Sequence, residues 1–133
     1  MLTNEALREM ATRKLGAATL LLDHEYPDEA VYLGGYAIEF QLKARIVECQ
    51  HLGGWPADAR EGRVHGLGRL MTHDLHSLLT ESDVEAEVKS DHMLAWSNCA
   101  RWGPDSRYRP PGSVPPAEAR AFVRDVEELL GLI

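Results

Sequence analysis

An arginine and a histidine lie near the start of a short stretch of helically spaced leucines. Arg69 lies just before Thr72, and His76 follows it within the stretch. Histidine titrates near neutral pH and can exchange a proton with a ribose hydroxyl, while arginine can stabilise a pentacovalent phosphate. The start of a helix also favours a phosphate. Arg69 and His76 are therefore our candidate catalytic pair, and the alternative is a solvated loop cation beside a surface histidine.

A second group of side chains mixes cations with aromatic rings. It lies between the last two predicted helices, in residues 101–111. Such mixtures are common on surfaces that contact nucleic acid, because bases stack on aromatic rings and phosphates attract cations. We predict nucleic-acid or nucleotide contacts here. In the alternative interpretation, the two aromatic residues pin a proline-rich loop onto the bundle while the arginines stack or pair locally. The group comprises Arg101, Trp102, Arg107, Tyr108 and Arg109.

His73 precedes His76 by three residues, a spacing that puts two side chains on one helix face. Two histidines so placed can contribute to a metal site. The chain offers no inward Glu-x-x-His pair to complete one, so we predict no metal site and no cofactor. We assign His73 to the nucleic-acid or nucleotide contacts instead.

Glu39 and Lys43 form a charged pair within an otherwise apolar stretch. They are four residues apart, with the acid nearer the N-terminus, which is the orientation that stabilises a helix. We predict an intrahelical ion pair near the bundle surface or a dimer interface. If a dimer interface buries the pair, it would specify the alignment of the partner more than it would add stability.

Proline and glycine divide the sequence into about five helical segments. The first, Glu5–Asp23, carries one apolar stripe and ends before Pro27, because the residue preceding a proline avoids the helical region. The second begins at Pro27 and reaches about Gln50. It carries two apolar stripes, which is typical of a central bundle helix. A glycine-rich loop is predicted from Leu52 to Gly68.

Three further helices are predicted after this loop. Thr72 is the expected N-cap of a short third helix. Ser82 and Glu85 resemble a capping box for a fourth helix, which would end near Trp102 and hold Trp96 in the core. The fifth runs from Pro116 to Leu130, with Gly131 as its C-terminal stop. The predicted fold class is all-α, an up-and-down bundle of about five helices.

The composition bounds the function. At 133 residues the chain suits a single domain, 1–133, and no apolar run is long enough to cross a bilayer. The charged N-terminal residues lack the apolar core of a secretory signal, so we expect a cytoplasmic protein. Cys49 and Cys99 are then expected to be buried thiols. A net charge of −7 means that any RNA contact must use a local patch.

Three strings of the sequence, taken in order, resemble the HEPN domain family of small prokaryotic helical proteins. Residues 35–44, GYAIEFQLKA, are similar to the family's central helix. Residues 72–79, THDLHSLL, are similar to its His-Asp-Leu-x-x-Leu-Leu segment, and Arg107-Tyr108 to its Arg-Tyr before the final helix. The strings fall within residues 32–110, and the flanking helices fit the family's plan.

The resemblance implies a HEPN-like bundle that forms a two-fold homodimer. It implies a place in toxin–antitoxin, defence or RNA-related systems, with a small nucleotidyltransferase-like partner protein. Active members are metal-independent ribonucleases whose motif is an arginine, four to six residues, and a histidine. They carry it before the last helices, whereas residues 101–133 contain no histidine.

Three pairs satisfy the motif's spacing: Arg45 with His51, Arg60 with His65, and Arg69 with His76. Random placement of 11 arginines and 6 histidines would give about 1.5 such pairs. The spacing is thus weak support for an enzyme. Our first hypothesis is a binding and regulatory module that engages RNA, a nucleotide or a nucleotidyltransferase-like protein, without membrane contact. The alternatives are a ribonuclease toxin using Arg69 and His76, and a structural dimer in a larger assembly.

Overall fold

The chain folds entirely into helices and the turns between them. The computed structural model describes all residues, 1–133. Its single pair of bridged extended residues joins Leu2 to Trp55. The all-α prediction is confirmed, but there are seven α-helices instead of about five. They are α1 (Asn4–Asp23), α2 (Pro27–Cys49), α3 (Ala59–Val64), α4 (Leu75–Glu81), α5 (Glu85–Asp91), α6 (Met93–Cys99) and α7 (Pro116–Leu132), and two 3₁₀ turns span Gly68–Leu70 and Pro104–Tyr108.

The helix α2 is the centre of the bundle, as its two apolar stripes predicted. It packs against α1, α4 and α7 and against the 3₁₀ turn Pro104–Tyr108. Pro27 at its first position has no amide hydrogen to leave unpaired, and Asp28 and Glu29 complement its dipole. Leu42 and Ile46 are fully buried. Any side chain that α2 offers to a site is therefore held by packing on several sides.

The predicted loop from Leu52 to Gly68 contains the short helix α3, so this part of the prediction was wrong. Asp58 caps the helix by accepting a hydrogen bond from the backbone amide of Glu61, and the Glu61 carboxylate accepts one from the amide of Ala57. This reciprocal pattern resembles a capping box, except that Glu61 binds the amide of the residue before the N-cap. The five glycines between residues 52 and 68 favoured a loop, although these side-chain hydrogen bonds stabilise a helix there.

The predicted N-cap of the third helix was also wrong. Asp74, not Thr72, precedes α4, and its carboxylate accepts from the amide of Ser77 at 3.1 Å. The Thr72 hydroxyl instead accepts from the amide of Asp74 at 3.0 Å, closing a turn before the helix. His73 therefore lies outside α4 and does not share a helix face with His76.

The predicted fourth helix is two helices, α5 and α6, which meet at His92. His92 adopts φ −133°, outside the helical range, and its ring lies 2.8 Å from the carboxylate of Glu128 in α7. The capping box proposed there is absent, since the Ser82 hydroxyl donates to the carbonyl of Leu79 and the Glu85 carboxylate binds other partners. A tertiary contact thus coincides with the break.

The last helix continues past Gly131 to Leu132. A Cβ at Gly131 would meet nothing within 4 Å, so the glycine neither ends the helix nor permits a close contact. None of the seven helices has the length and apolar composition that crossing a bilayer requires. Cys99 is buried and Cys49 half-buried, both are free thiols, and burial raises the pKa of each.

Candidate functional site

A cleft of about 500 Å³ lies between α2 and the loops that flank α4 and α6. Tyr36 forms its wall on α2. The segment before α4 contributes residues 72–74, and the segment after α6 contributes residues 102–105, 107 and 108. Four predicted contact residues line this cleft although they are far apart in sequence. They are His73, Trp102, Arg107 and Tyr108.

Trp102 is packed against α2 and lines the cleft. Its indole lies flat against Gly35 of α2, so closely that a Cβ at Gly35 would be 2.1 Å from the ring. The Tyr36 ring meets it edge to face at 4.9 Å between centroids. Only 8% of Trp102 is exposed. Trp102 thus pins the loop onto the bundle, as the structural alternative predicted, and forms part of the cleft as well.

Arg107 and Tyr108 form a stacked pair at the edge of the cleft. The guanidinium carbon lies 4.6 Å from the centre of the Tyr108 ring. The guanidinium donates to the Pro104 carbonyl at 3.0 Å and to the Tyr108 hydroxyl at 3.2 Å, and the latter bond raises the pKa of Arg107. Tyr108 is 77% exposed, so it does not pin the loop. A cation and an open aromatic surface therefore lie side by side.

Tyr36 adds a neutral hydroxyl to this wall. Its ring stacks on Phe40 at 6.0 Å and meets Tyr32 edge to face at 5.3 Å. Burial, followed by the hydrogen bond and charge of Tyr32, raises its pKa to about 12. The phenol therefore keeps its proton at neutral pH.

His73 is held by a charged pair that lies inside the bundle. Its Nδ1 lies 2.7 Å from Oε1 of Glu39, and the other oxygen of Glu39 accepts from the Lys43 ammonium at 3.2 Å. Glu39 is 1% and Lys43 is 8% exposed. The pair is thus covered within one chain and needs no dimer partner to bury it.

The Glu39 carboxylate orients the His73 ring. Because a carboxylate accepts hydrogen bonds, the Nδ1 that lies against it is the donor nitrogen of the ring. Its Nε2 then has no partner within the protein, on a side chain that is 61% exposed. A carboxylate that orients a histidine in this way is a recurrent arrangement for proton transfer.

Two carboxylates balance the cations of the cleft. Asp74 and Asp105 both belong to its lining. The hydroxyl of Ser77 lowers the pKa of Asp74, so this group is ionised at neutral pH. The cleft is therefore mixed in charge, and its attraction for a phosphate must come from local contacts with Arg107.

The other two predicted contact residues lie elsewhere. Arg101 and Arg109 line a smaller cavity of about 310 Å³ on the side of Trp102 nearer α7. Both arginines are exposed, and Glu118 lines the same cavity. The structure thus divides the predicted cationic loop between two cavities that share Trp102 and Gly103.

The proposed catalytic pair is outside the cleft. The guanidinium of Arg69 donates to the side-chain oxygen of Gln50 at 2.9 Å. His76 is exposed in the first turn of α4, and its backbone carbonyl accepts from the hydroxyl of Thr80. No hydrogen bond joins Arg69 to His76, and neither residue lines the cleft.

Sequence reasoning missed Gly35, Tyr36 and the contact between Glu39 and His73. One signal was present, since a glycine pair at positions 34 and 35 inside a helix is costly unless something packs against it.

No group of three or more His, Cys, Asp or Glu side chains is placed to hold a metal ion. Comparison of the chain with protein-family models, with curated proteins and with solved structures finds no match.

Proposed function

We propose that the chain is a HEPN-like binding module whose cleft engages single-stranded RNA. The observation that carries the proposal is the convergence of Tyr36, Trp102, Tyr108, Arg107 and His73 on one cleft. Single-stranded nucleic acid is bound by aromatic rings that stack with bases, beside cations that meet the phosphates. The guanidinium stacked on Tyr108 offers both features within the reach of one nucleotide.

The resemblance extends this proposal to the assembly. We propose a homodimer that works with a small nucleotidyltransferase-like protein in a toxin–antitoxin, defence or other RNA-related system, in the cytoplasm. What supports it is the ordered set of three strings described above. Co-expression with a nucleotidyltransferase-like protein encoded next to this chain, followed by sedimentation of the purified material, tests both associations.

Binding is measured most directly through the chain's three tryptophans, at positions 55, 96 and 102. Trp102 lines the cleft, whereas Trp96 is 2% exposed in the core and serves as an internal control. A short single-stranded oligoribonucleotide is expected to shift the indole N–H signal of Trp102 in an NMR titration and to leave that of Trp96 in place. Tyr108→Ala should weaken binding by roughly 5- to 100-fold, the usual worth of one stacked base.

Arg107→Ala is the complementary variant. It should lower the slope of log affinity against log salt by about 0.7, because one fewer phosphate is neutralised. Arg60→Ala, an exposed arginine of α3 that does not line the cleft, is the matched control. An oligoribonucleotide that leaves the Trp102 signal unchanged at millimolar concentration would refute the proposal.

A second candidate function, metal-independent cleavage of RNA, is favoured by the Glu39–His73 contact. In this scheme Nε2 of His73 takes the proton of a ribose 2′-hydroxyl, the 2′-oxygen bonds to phosphorus, and the bond from phosphorus to the 5′-oxygen breaks. The imidazolium returns the proton to the 5′-oxygen, leaving a cyclic phosphate and a hydroxyl. Glu39 would stabilise the imidazolium, and Arg107 the phosphorane.

The two histidines at positions 73 and 76 give this scheme a matched pair of variants. Both side chains are exposed, but only His73 contacts a carboxylate in the structure. With RNA in EDTA, His73→Gln should lower cleavage by 100-fold or more, the usual worth of a general base, and His76→Gln should leave it within a few fold. The reverse order would favour the pair Arg69 and His76, and no cleavage by the unaltered protein would leave the binding module.

A further inference from the structure

A second pocket, of about 390 Å³, lies between α1, α2 and the segment that leads into α3. It touches the RNA cleft only at Thr72 and His73. Its lining is mostly apolar and includes Leu7, Phe40, Trp55 and Met71. Pockets of this size with few polar groups are typical of sites for small molecules.

The cation of this pocket that is buried is the ammonium of Lys43. The side chain is 10% exposed, and its Nζ donates to one protein acceptor, Oε2 of Glu39 at 3.2 Å. An ammonium has three donors, so two remain without a protein acceptor. The rings of Trp55 and Phe40, at 5.2 and 5.9 Å from Nζ, attract the charge but accept no conventional hydrogen bond.

The surrounding side chains supply no acceptor for these two donors of Lys43. Both oxygens of Glu39 are engaged, one with Lys43 and one with His73. Asp58, which also lines the pocket, accepts from the amide of Glu61 as the cap of α3. Because Glu39 already balances the charge of Lys43, a ligand need supply only an acceptor atom and not a full negative charge.

We propose that this pocket binds a planar ring that carries an sp² oxygen acceptor. The oxygen accepts from one of the two remaining donors of Lys43, and the ring lies among the apolar and aromatic side chains. Two kinds of molecule share this chemistry: the oxo-base of a nucleoside and a small aromatic carboxylate. The site is separate from the RNA cleft and does not depend on RNA binding there.

The probes are uridine, benzoate and toluene, the last as a ring without an acceptor. The readout is the indole N–H signal of Trp55, which is 4% exposed in the wall of this pocket. A shift with uridine alone identifies an oxo-base, a shift with benzoate alone identifies a carboxylate, and shifts with both show that the acceptor is the shared requirement. No shift with either, or an equal shift with toluene, overturns the proposal.

Two variants separate the pocket from the cleft. Ala57→Phe places a ring in the lining at an exposed position, where folding is undisturbed, and should lower the affinity for the probe at least tenfold. The double variant Glu39→Gln with Lys43→Met removes the donors without leaving a lone buried charge, and should abolish the preference over toluene. An unchanged affinity in Ala57→Phe, or an unchanged preference over toluene in the double variant, overturns the proposal. The Trp102 signal, which reports on RNA, should be unaffected by Ala57→Phe.

Discussion

Gly35→Ala is expected to lower the free energy of unfolding by about 3 kcal/mol, comparable to the loss of a buried aromatic side chain. The new Cβ would lie 2.1 Å from Cδ2 and Cε2 of Trp102, far inside van der Waals contact. Gly35 is buried within α2, and the packed helix backbone cannot shift. The indole of Trp102 must therefore move out of its buried position. Trp102 belongs to the main core, and its burial is lost with it. Urea unfolding followed by far-ultraviolet circular dichroism measures the change.

The matched control for this substitution is Gly16→Ala in α1. A Cβ at Gly16 would meet nothing within 4 Å, so the change should stabilise the protein by about 0.5–1 kcal/mol through helix propensity alone. The double variant Gly35→Ala with Trp102→Ala should be little less stable than Gly35→Ala, because both remove the same contact. A Gly35→Ala protein as stable as the unaltered one would show that Trp102 does not rest on α2.

The sequence predicted the parts of the fold that depend on local signals. The pattern of apolar stripes and the position of Pro27 predicted α1 and α2 nearly to the residue, because both signals are local. The break at His92 was not predictable in the same way, since it coincides with a contact to Glu128, which is distant in the chain. Local caps were misassigned at Thr72, where Asp74 takes the role, and at Ser82, whose hydroxyl donates to the carbonyl of Leu79 instead.

In the candidate site, too, the sequence marked individual residues but not the contacts between residues that are distant in the chain. Residue type alone marked His73, Trp102, Arg107 and Tyr108, and the structure brings them to one cleft. It could not mark the contact between Glu39 and His73, because 34 residues separate them and only the packing of the segment before α4 on α2 joins them. Spacing favoured Arg69 with His76, but their actual partners depend on how the loop after α3 folds.

Glu39→Leu is expected to destabilise the protein by roughly 3–5 kcal/mol, the usual cost of removing one partner of a buried ion pair. The substitution leaves the ammonium of Lys43 nine-tenths buried with no counter-charge, and it removes the acceptor that holds His73. Lys43→Met should likewise leave the Glu39 carboxylate, 1% exposed, with a single partner. Denaturant unfolding of the two single variants and the double variant gives the coupling free energy between these side chains.

The double variant Glu39→Leu with Lys43→Met should recover at least 1 kcal/mol relative to the sum of the single variants, since no lone charge stays buried. The control is the pair Glu9 and Arg13, which has the same four-residue spacing but is 67% and 78% exposed. Glu9→Leu should cost no more than about 0.5 kcal/mol. Equal losses at the buried and exposed pairs would contradict the buried-pair argument.

Because the chain itself covers Glu39 and Lys43, sedimentation of the folded fraction of Glu39→Leu should show the unaltered protein's oligomeric state. A shifted state would instead place this pair at a subunit interface, where it would align the partner.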